Sequence, residues 1–167
     1  EVNIRALTAV VLEGLLKPLI TSVNMVNAPT IAKERDINVS EVLNDREGDY
    51  HTLIKLTVDF GKTQNTICGT LFSNGTPRIV SLMGVKIEAE LEQHMLYVAN
   101  EDKPGFIGSL GTVLGENDIN IATFNLGRNE SHDFAVALVS VDQFISDEII
   151  QKVAIIPHVK QVKYLTF

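Results

Sequence analysis

The chain has 167 residues, 45% of them apolar and 6% aromatic with no Trp, enough for one domain or two small ones with real cores. A formal charge of −7, with Lys and Arg scattered rather than striped, argues against a nucleic-acid partner. The lone Cys68 rules out an internal disulfide and fits a reducing, cytoplasmic setting, and no apolar run approaches the ~20 residues of a membrane span.

Apolar residues at Ile4, Leu7, Val10, Val11, Leu15 and Leu16 lie near helical spacing and predict a helix over 3–16. Charged Arg5, Glu13 and Lys17 interrupt it, so it is not a signal peptide. The start at Glu1, without an initiator Met, fits a piece of something longer. Pro18 ends or kinks the helix, since it has no N–H and clashes with the preceding turn. A second helical stretch is expected through Val23, Met25 and Val26, and Pro29 starts a third with Ile31 and Ala32. Residues 36–41 read as a short connection, with Val39, Val42 and Leu43 partly buried.

From His51 the period changes. Residues 51–60 alternate as a strand with one wet face, and Gly61 breaks it. Strands over 65–72 and 77–83 flank Ser73-Asn-Gly-Thr, a hairpin signal with Asn-Gly at its centre. Cys68, inside the first of these, reads as a core thiol. Gly84 turns the chain into Val85, Ile87, Ala89 and Leu91, which alternate with charged residues. Residues 1–92 thus read as a helical pair packed on an antiparallel sheet.

Residues 94–167 follow another rhythm. Strand 95–100 leads to a helix over 105–117 with Phe106, Ile107, Leu110, Val113 and Leu114 on one face. Strands 119–126 and 132–141 follow, joined by a turn at Arg128-Asn-Glu-Ser. Ser146 is a good N-cap, with Asp147 and Glu148 in the first turn where the helix dipole favours them. Pro157 stops that helix before a last strand, 159–167. The order strand-helix-strand-strand-helix-strand is the ferredoxin-like unit. The fold class is therefore α+β, a helix-covered antiparallel sheet followed by a βαββαβ domain. The second sheet is expected to bury one face under its helices. An open edge near Met95–Asn100 is expected to favour pairing with a second copy.

The chemistry concentrates in Asn100-Glu-Asp-Lys-Pro-Gly-Phe-Ile-Gly108, followed twelve residues later by Asn120-Ile-Ala. Pro104 and Gly105 turn the chain into the helix, whose free N–H groups attract a carboxylate. Asp102 stands where it can face an ammonium group of the same ligand. No nucleophile, proton-transfer pair or metal cage accompanies them, so the pattern suits holding a small zwitterion rather than transforming it. The competing reading is a plain strand-to-helix turn built from ordinary turn residues. Asn120 weighs against that, since a plain turn or an apolar residue is expected where its strand starts.

Gly108, Gly111 and Gly115 share one helix and imply a close approach there, by its own sheet in preference to a partner subunit. Nucleotide fingerprints are absent, and the four His residues have no metal-ligand spacing. His132 and Asp133 are sequence neighbours on opposite sheet faces and make a poor acid-base pair. Arg78 and Lys86 straddle the Gly84 turn as a weak anion site, against the alternative of solvated surface.

Residues 95–167 resemble an ACT domain, the small amino-acid-binding module of many biosynthetic enzymes, through Asn100-x-Asp102-x-Pro104-Gly105-x-x-Gly108 and Asn120-Ile121. Residues 1–92 resemble the intervening, or allosteric substrate-binding, domain of long-form D-3-phosphoglycerate dehydrogenases. The residues that carry this are Glu13-Gly-Leu-Leu, Val26-Asn-Ala-Pro29 with Ala32-Lys-Glu-Arg35, and Gly69-Thr-Leu71. The resemblance implies that L-serine, or a similar small amino acid, binds between two ACT domains that hold subunits together. Asn100 and Asp102 would contact it, the amides near Phe106 and Ile107 would take its carboxylate, and Asn120 with Ile121, from the partner, would close the site. Pro104 and Gly105 shape the loop. No cofactor or metal is implied for this chain, whereas NAD belongs to the catalytic part of such an enzyme. The family usually has a strand before the position of Glu1, so the first sheet is expected to lack one edge here. The family's intervening domain can also hold an anion with several basic groups. Here Glu88 and Glu90 flank Lys86 and would repel it.

Two other readings stand beside this one. A regulatory part of an iron–sulfur L-serine dehydratase has a similar architecture, though the Val-Asn-Ala-Pro stretch favours the dehydrogenase. A free-standing ACT dimer could also serve as an interaction module with no ligand.

Overall fold

The computed structural model describes residues 4–43 and 50–167, an α+β chain with two four-stranded antiparallel sheets. It divides into two compact units, one within Glu1–Arg46 and the other within Glu47–Phe167.

The first unit holds helices α1 (Ile4–Leu16) and α2 (Ala28–Glu34). They bury Leu12, Leu16, Val23, Ala28 and Ala32 together. Pro29 lies in the first turn of α2, where its missing N–H costs nothing. The stretch expected to be helical through Val23, Met25 and Val26 is a run of turns instead. The cause is local. The Asn24 side-chain oxygen accepts from the N–H groups of Val26 (2.9 Å) and Asn27 (3.1 Å), and that of Asn27 accepts from Asn24 N–H (2.8 Å). Such side-chain acceptors compete with the helical ladder for the same donors. Val42 and Leu43, expected to be partly buried, are 87% and 72% exposed, because the connection runs over the surface.

The second unit opens with a meander, β1 (Ile54–Phe60), β2 (Thr63–Leu71), β3 (Pro77–Leu82) and β4 (Val85–Glu90), each strand pairing with the next. Asn74-Gly75 sits in the β2–β3 hairpin, as its sequence signal requires. At the β3–β4 turn Met83 and Gly84 have φ of 53° and 79°, the left-handed pair that a two-residue hairpin needs. Cys68 is only half-buried, so it is less a core thiol than its apolar neighbours imply.

Then come β5 (His94–Glu101), α3 (Phe106–Gly115), β6 (Ile121–Arg128), β7 (Phe134–Val141), α4 (Asp147–Ala154) and β8 (Val159–Thr166). Their sheet order β6-β7-β5-β8 is ferredoxin-like. Ser146 caps α4 by accepting from Ile149 N–H at 3.4 Å. On one face of this sheet Phe106, Leu110, Leu114 and Val153 pack on Leu96, Val98, Ala137 and Val139. Ile107, expected on that face, is 55% exposed, one helical step of about 100° away from Phe106.

The other face is covered too, contrary to expectation. Ile79 of β3 and Val85, Ile87 and Ala89 of β4 pack against Met95, Tyr97, Ala99, Val136 and Leu138. Two covered faces explain why β5 and β7 are buried almost end to end instead of alternating. They also correct the expected edge: β5 is central, between β7 and β8, and the edges are β6 and β8. Gly127 of β6 marks the tightest approach, where a Cβ would lie 2.6 Å from Val85 Cγ1 and closer still to the Lys86 carbonyl oxygen. By contrast, a Cβ at Gly108, Gly111 or Gly115 would meet no described atom within 4 Å, so packing on their own sheet does not account for that stripe.

Candidate functional site

Asn100 sits at the end of β5, beside a register shift in its pairing with β8. Its side chain is 2% exposed and its Nδ2 donates to the Glu101 carbonyl at 2.7 Å. Its Oδ1 is buried without a hydrogen-bond partner among the described residues. A buried acceptor left unpaired costs on the order of 1–3 kcal/mol, and an added donor would recover it.

Asp102 follows the strand. Its backbone N–H donates to the Asp133 carbonyl at 3.1 Å, and its carboxylate lies 3.3 Å from Arg128 Nε. Gly105 then takes φ of 97°, a left-handed turn suited to glycine, and acts as N-cap of α3 without any side-chain cap. The first-turn N–H groups of Phe106 and Ile107 are thus left without an intrahelical acceptor, while the Phe106 ring goes into the core. Pro104 is exposed at the turn.

Asn120 and Ile121 lie elsewhere. Both β5 and β6 run antiparallel to β7, so they are parallel to each other. Asn100 and Asp102 stand at the carboxyl end of this sheet and Asn120 at the amino end of β6. The eight residues of β6 separate them by roughly 25 Å. Asn120 N–H donates to Gln143 Oε1 at 2.8 Å and its Nδ2 donates to Asp142 Oδ2 at 2.5 Å. Ile121 packs partly against the core under the helices. The structure brings Asn100, Asp102, Pro104, Gly105, Phe106 and Ile107 together and leaves Asn120 and Ile121 apart from them within one chain.

Arg78 stacks over the Phe72 ring, 4.4 Å from its centroid, and pairs with Glu88 (2.5 Å) and Glu90. Lys86 projects from the same face of β4, with Glu88 next along it. The charge of Arg78 is thus answered inside the sheet.

Sequence reasoning missed two groups beside the loop. One is Arg128, which nothing in a strand-end arginine singles out. The other is the β6–β7 connection, where Asp133 Oδ1 accepts from Asn129 Nδ2 (2.5 Å) and Ser131 Oγ (2.7 Å), and Asn129 Oδ1 accepts from the N–H groups of Asp133 and Phe134. The hydrogen bonds from Asn129, then Ser131, hold the Asp133 carboxyl below its ordinary range. A depressed carboxylate contributes stability above its unfolded pKa and loses it as pH falls through the folded one. The hairpin is therefore expected to be tight at neutral pH and to loosen on acidification. Asn129→Ala is expected to raise the Asp133 titration toward the ordinary value, read by carboxyl carbon NMR. An unmoved titration would contradict these contacts. Next to Asn100, Glu101 pairs with Lys160 and, at 3.0 Å, with His158, and those two groups lower its carboxyl pKa. Glu101 thus faces them rather than a ligand.

Fold and loop define a class: an α+β chain whose ferredoxin-like half carries a polar loop feeding an uncapped helix start. Residues 1–83 match the D-3-phosphoglycerate dehydrogenase intervening domain. The chain is 36% identical over 160 residues to D-3-phosphoglycerate dehydrogenase of Bacillus subtilis, covering 95% of this chain and 30% of that protein. With the enzyme of Methanocaldococcus jannaschii it shares 37% over 152 residues, 90% of this chain and 29% of that one. For Synechocystis the figures are 31% over 152 residues, 90% and 27%. The chain belongs to the D-3-phosphoglycerate dehydrogenase family, and it spans about 30% of the length of these relatives. Among solved structures, the C-terminal domain of MgtC from Mycobacterium tuberculosis aligns with 47% of this chain and 94% of its own, at 14% identity and a TM-score of 0.36.

Proposed function

We propose that this chain is the C-terminal regulatory segment of a cytoplasmic D-3-phosphoglycerate dehydrogenase, an NAD-dependent oxidoreductase of serine biosynthesis. Residues 94–167 act as an ACT domain that binds L-serine as feedback effector between two copies, and residues 1–92 act as the intervening domain. The serine carboxylate meets the N–H groups of Phe106 and Ile107, where the helix end carries partial positive charge. Its ammonium meets Asp102 and the unpaired oxygen of Asn100.

The observation that carries this reading is the separation of Asn120 from that loop, combined with the open edge of β6. If two β6 edges pair antiparallel about their centres, position 121 of one copy falls opposite position 128 of the other. Asn120 of one copy then stands beside the Asp102–Arg128 end of its neighbour. The same pairing brings the helices of the two copies alongside each other, which gives the bare glycine face of α3 a use. Catalysis and NAD binding belong to the remainder of such an enzyme.

Calorimetry and light scattering test the proposal together. L-serine is expected to bind with one site per chain to a homo-oligomer. A monomer at tens of micromolar with serine present, or no heat with serine or other small amino acids, would contradict it. The purified chain is also expected to reduce no NAD with phosphoglycerate, and turnover free of full-length enzyme would overturn that part. The alternative of a dehydratase segment gains no support from the relatives, which are named as dehydrogenases. A ligand-free module would leave the buried Asn100 oxygen unexplained.

A further inference from the structure

We propose that Arg128 sets the charge class of ligand this site accepts, admitting a zwitterionic α-amino acid and refusing a simple amine. The proposal rests on the loop being an amino-acid site and adds a residue that the loop pattern does not contain. Standing alone, the Asp102 carboxylate would attract any small ammonium ion. It does not stand alone. Its side chain is 14% exposed, and the guanidinium of Arg128, whose side chain is 56% exposed, lies 3.3 Å away through Nε.

A guanidinium carries five N–H donors in a planar fork, so contact through Nε leaves the terminal nitrogens free to donate. Arg128 makes no other ion pair among the described residues. The pair is nearly neutral as a unit, so a bare amine entering it meets repulsion from Arg128 as well as attraction from Asp102. An α-amino acid carries opposite charges on one carbon. It can lie antiparallel to the pair, ammonium on Asp102 and carboxylate toward the Arg128 fork and the first turn of α3.

Both backbones are fixed. Arg128 is the last residue of β6, opposite Ala135, and follows Gly127, which is pressed against β4. Asp102 is held by the Asp133 carbonyl, on a hairpin tied by Asn129 and Ser131. Each charge is thus presented from a rigid support, which is what discrimination by geometry needs.

Ethanolamine, which is serine without its carboxylate, is the probe. L-serine and ethanolamine are titrated into wild type, Arg128→Gln, Arg128→Lys and Asp102→Ala, with thermal unfolding checking that each variant is folded. The wild type is expected to prefer serine strongly. Arg128→Gln is expected to narrow that preference at least tenfold, by weaker serine binding, tighter ethanolamine binding, or both. Arg128→Lys keeps the charge but loses the planar fork, and is expected to show a preference between those of wild type and Arg128→Gln. An unchanged preference in Arg128→Gln, with Asp102→Ala still losing serine, would overturn the role of Arg128 and leave the loop reading intact. A Lys variant as unselective as the Gln variant would overturn the charge argument. Serine binding by Asp102→Ala equal to wild type, or none by wild type, would overturn the loop reading and this proposal with it.

Discussion

Gly127→Ala is expected to destabilise the second unit by about 3 kcal/mol, the upper part of the range for overpacking a filled core. The added methyl would collide with the backbone carbonyl of Lys86 and with Val85 Cγ1 at 2.6 Å. A flexible side chain could swing aside, but a strand carbonyl can retreat only by moving β4. Moving β4 loosens Val85, Ile87 and Ala89 from Met95, Tyr97 and Leu138, so the cost reaches the core between the sheets. Gly14→Ala, in the interior of helix α1, is the control. A methyl there meets nothing within 4 Å, and a helical Gly replaced by Ala gains up to about 1 kcal/mol. Urea unfolding followed by circular dichroism should therefore shift in opposite directions for the two variants. Equal stability of Gly127→Ala and wild type would mean that β4 does not lie against β6.

Asp102→Ala is expected to cost about 1.5–3 kcal/mol of serine affinity, the range for a hydrogen bond to a charged group. That is roughly ten- to a hundredfold in Kd. The loss has two parts: the ammonium loses its counter-charge, and Arg128 is left unopposed beside it. Stability should hardly change, because ion pairs with an exposed partner contribute on the order of 0–1 kcal/mol. Asn120→Ala is expected to weaken serine to a similar degree although it lies at the far end of the same sheet. Lys103→Ala, beside Asp102 and exposed, is expected to bind like wild type. Wild-type affinity in both the Asp102 and Asn120 variants would place the site elsewhere.

Much of the fold was legible because its signals are local. The strict alternation of β4, the Asn74-Gly75 turn, the Ser146 cap and the Pro157 stop each act over a few residues, and the structure follows them. Local signals also misled. Val23, Met25 and Val26 have apolar spacing, but Asn24 and Asn27 take the donors a helix needs. The continuous apolar runs of β5 and β7 do encode a sheet covered on both faces. They cannot say which element covers the second face: β4 leads almost directly into β5, yet no local signal states that β3 and β4 fold back over the sheet. The candidate loop was readable for the same reason as the caps, since Asn100, Asp102, Pro104 and Gly105 are sequence neighbours. Arg128 was not, because it reaches Asp102 only through the pairing of β6 with β7 and of β7 with β5. The gap between Asn100 and Asn120 likewise follows from strand order, which one sequence does not state.

The central claim is that one serine site draws Asp102 from one copy and Asn120 from another. It is tested most directly by co-expressing the Asp102→Ala and Asn120→Ala chains in equal amounts and titrating L-serine into the purified mixture. Each variant alone has every site damaged. In a mixed pair one site loses both residues and the other regains both, so random association should restore about a quarter of the sites to wild-type affinity. Recovery of that fraction is the result expected. A mixture that binds no better than either variant alone, with mixed oligomers demonstrated by mass, would contradict a site shared between copies.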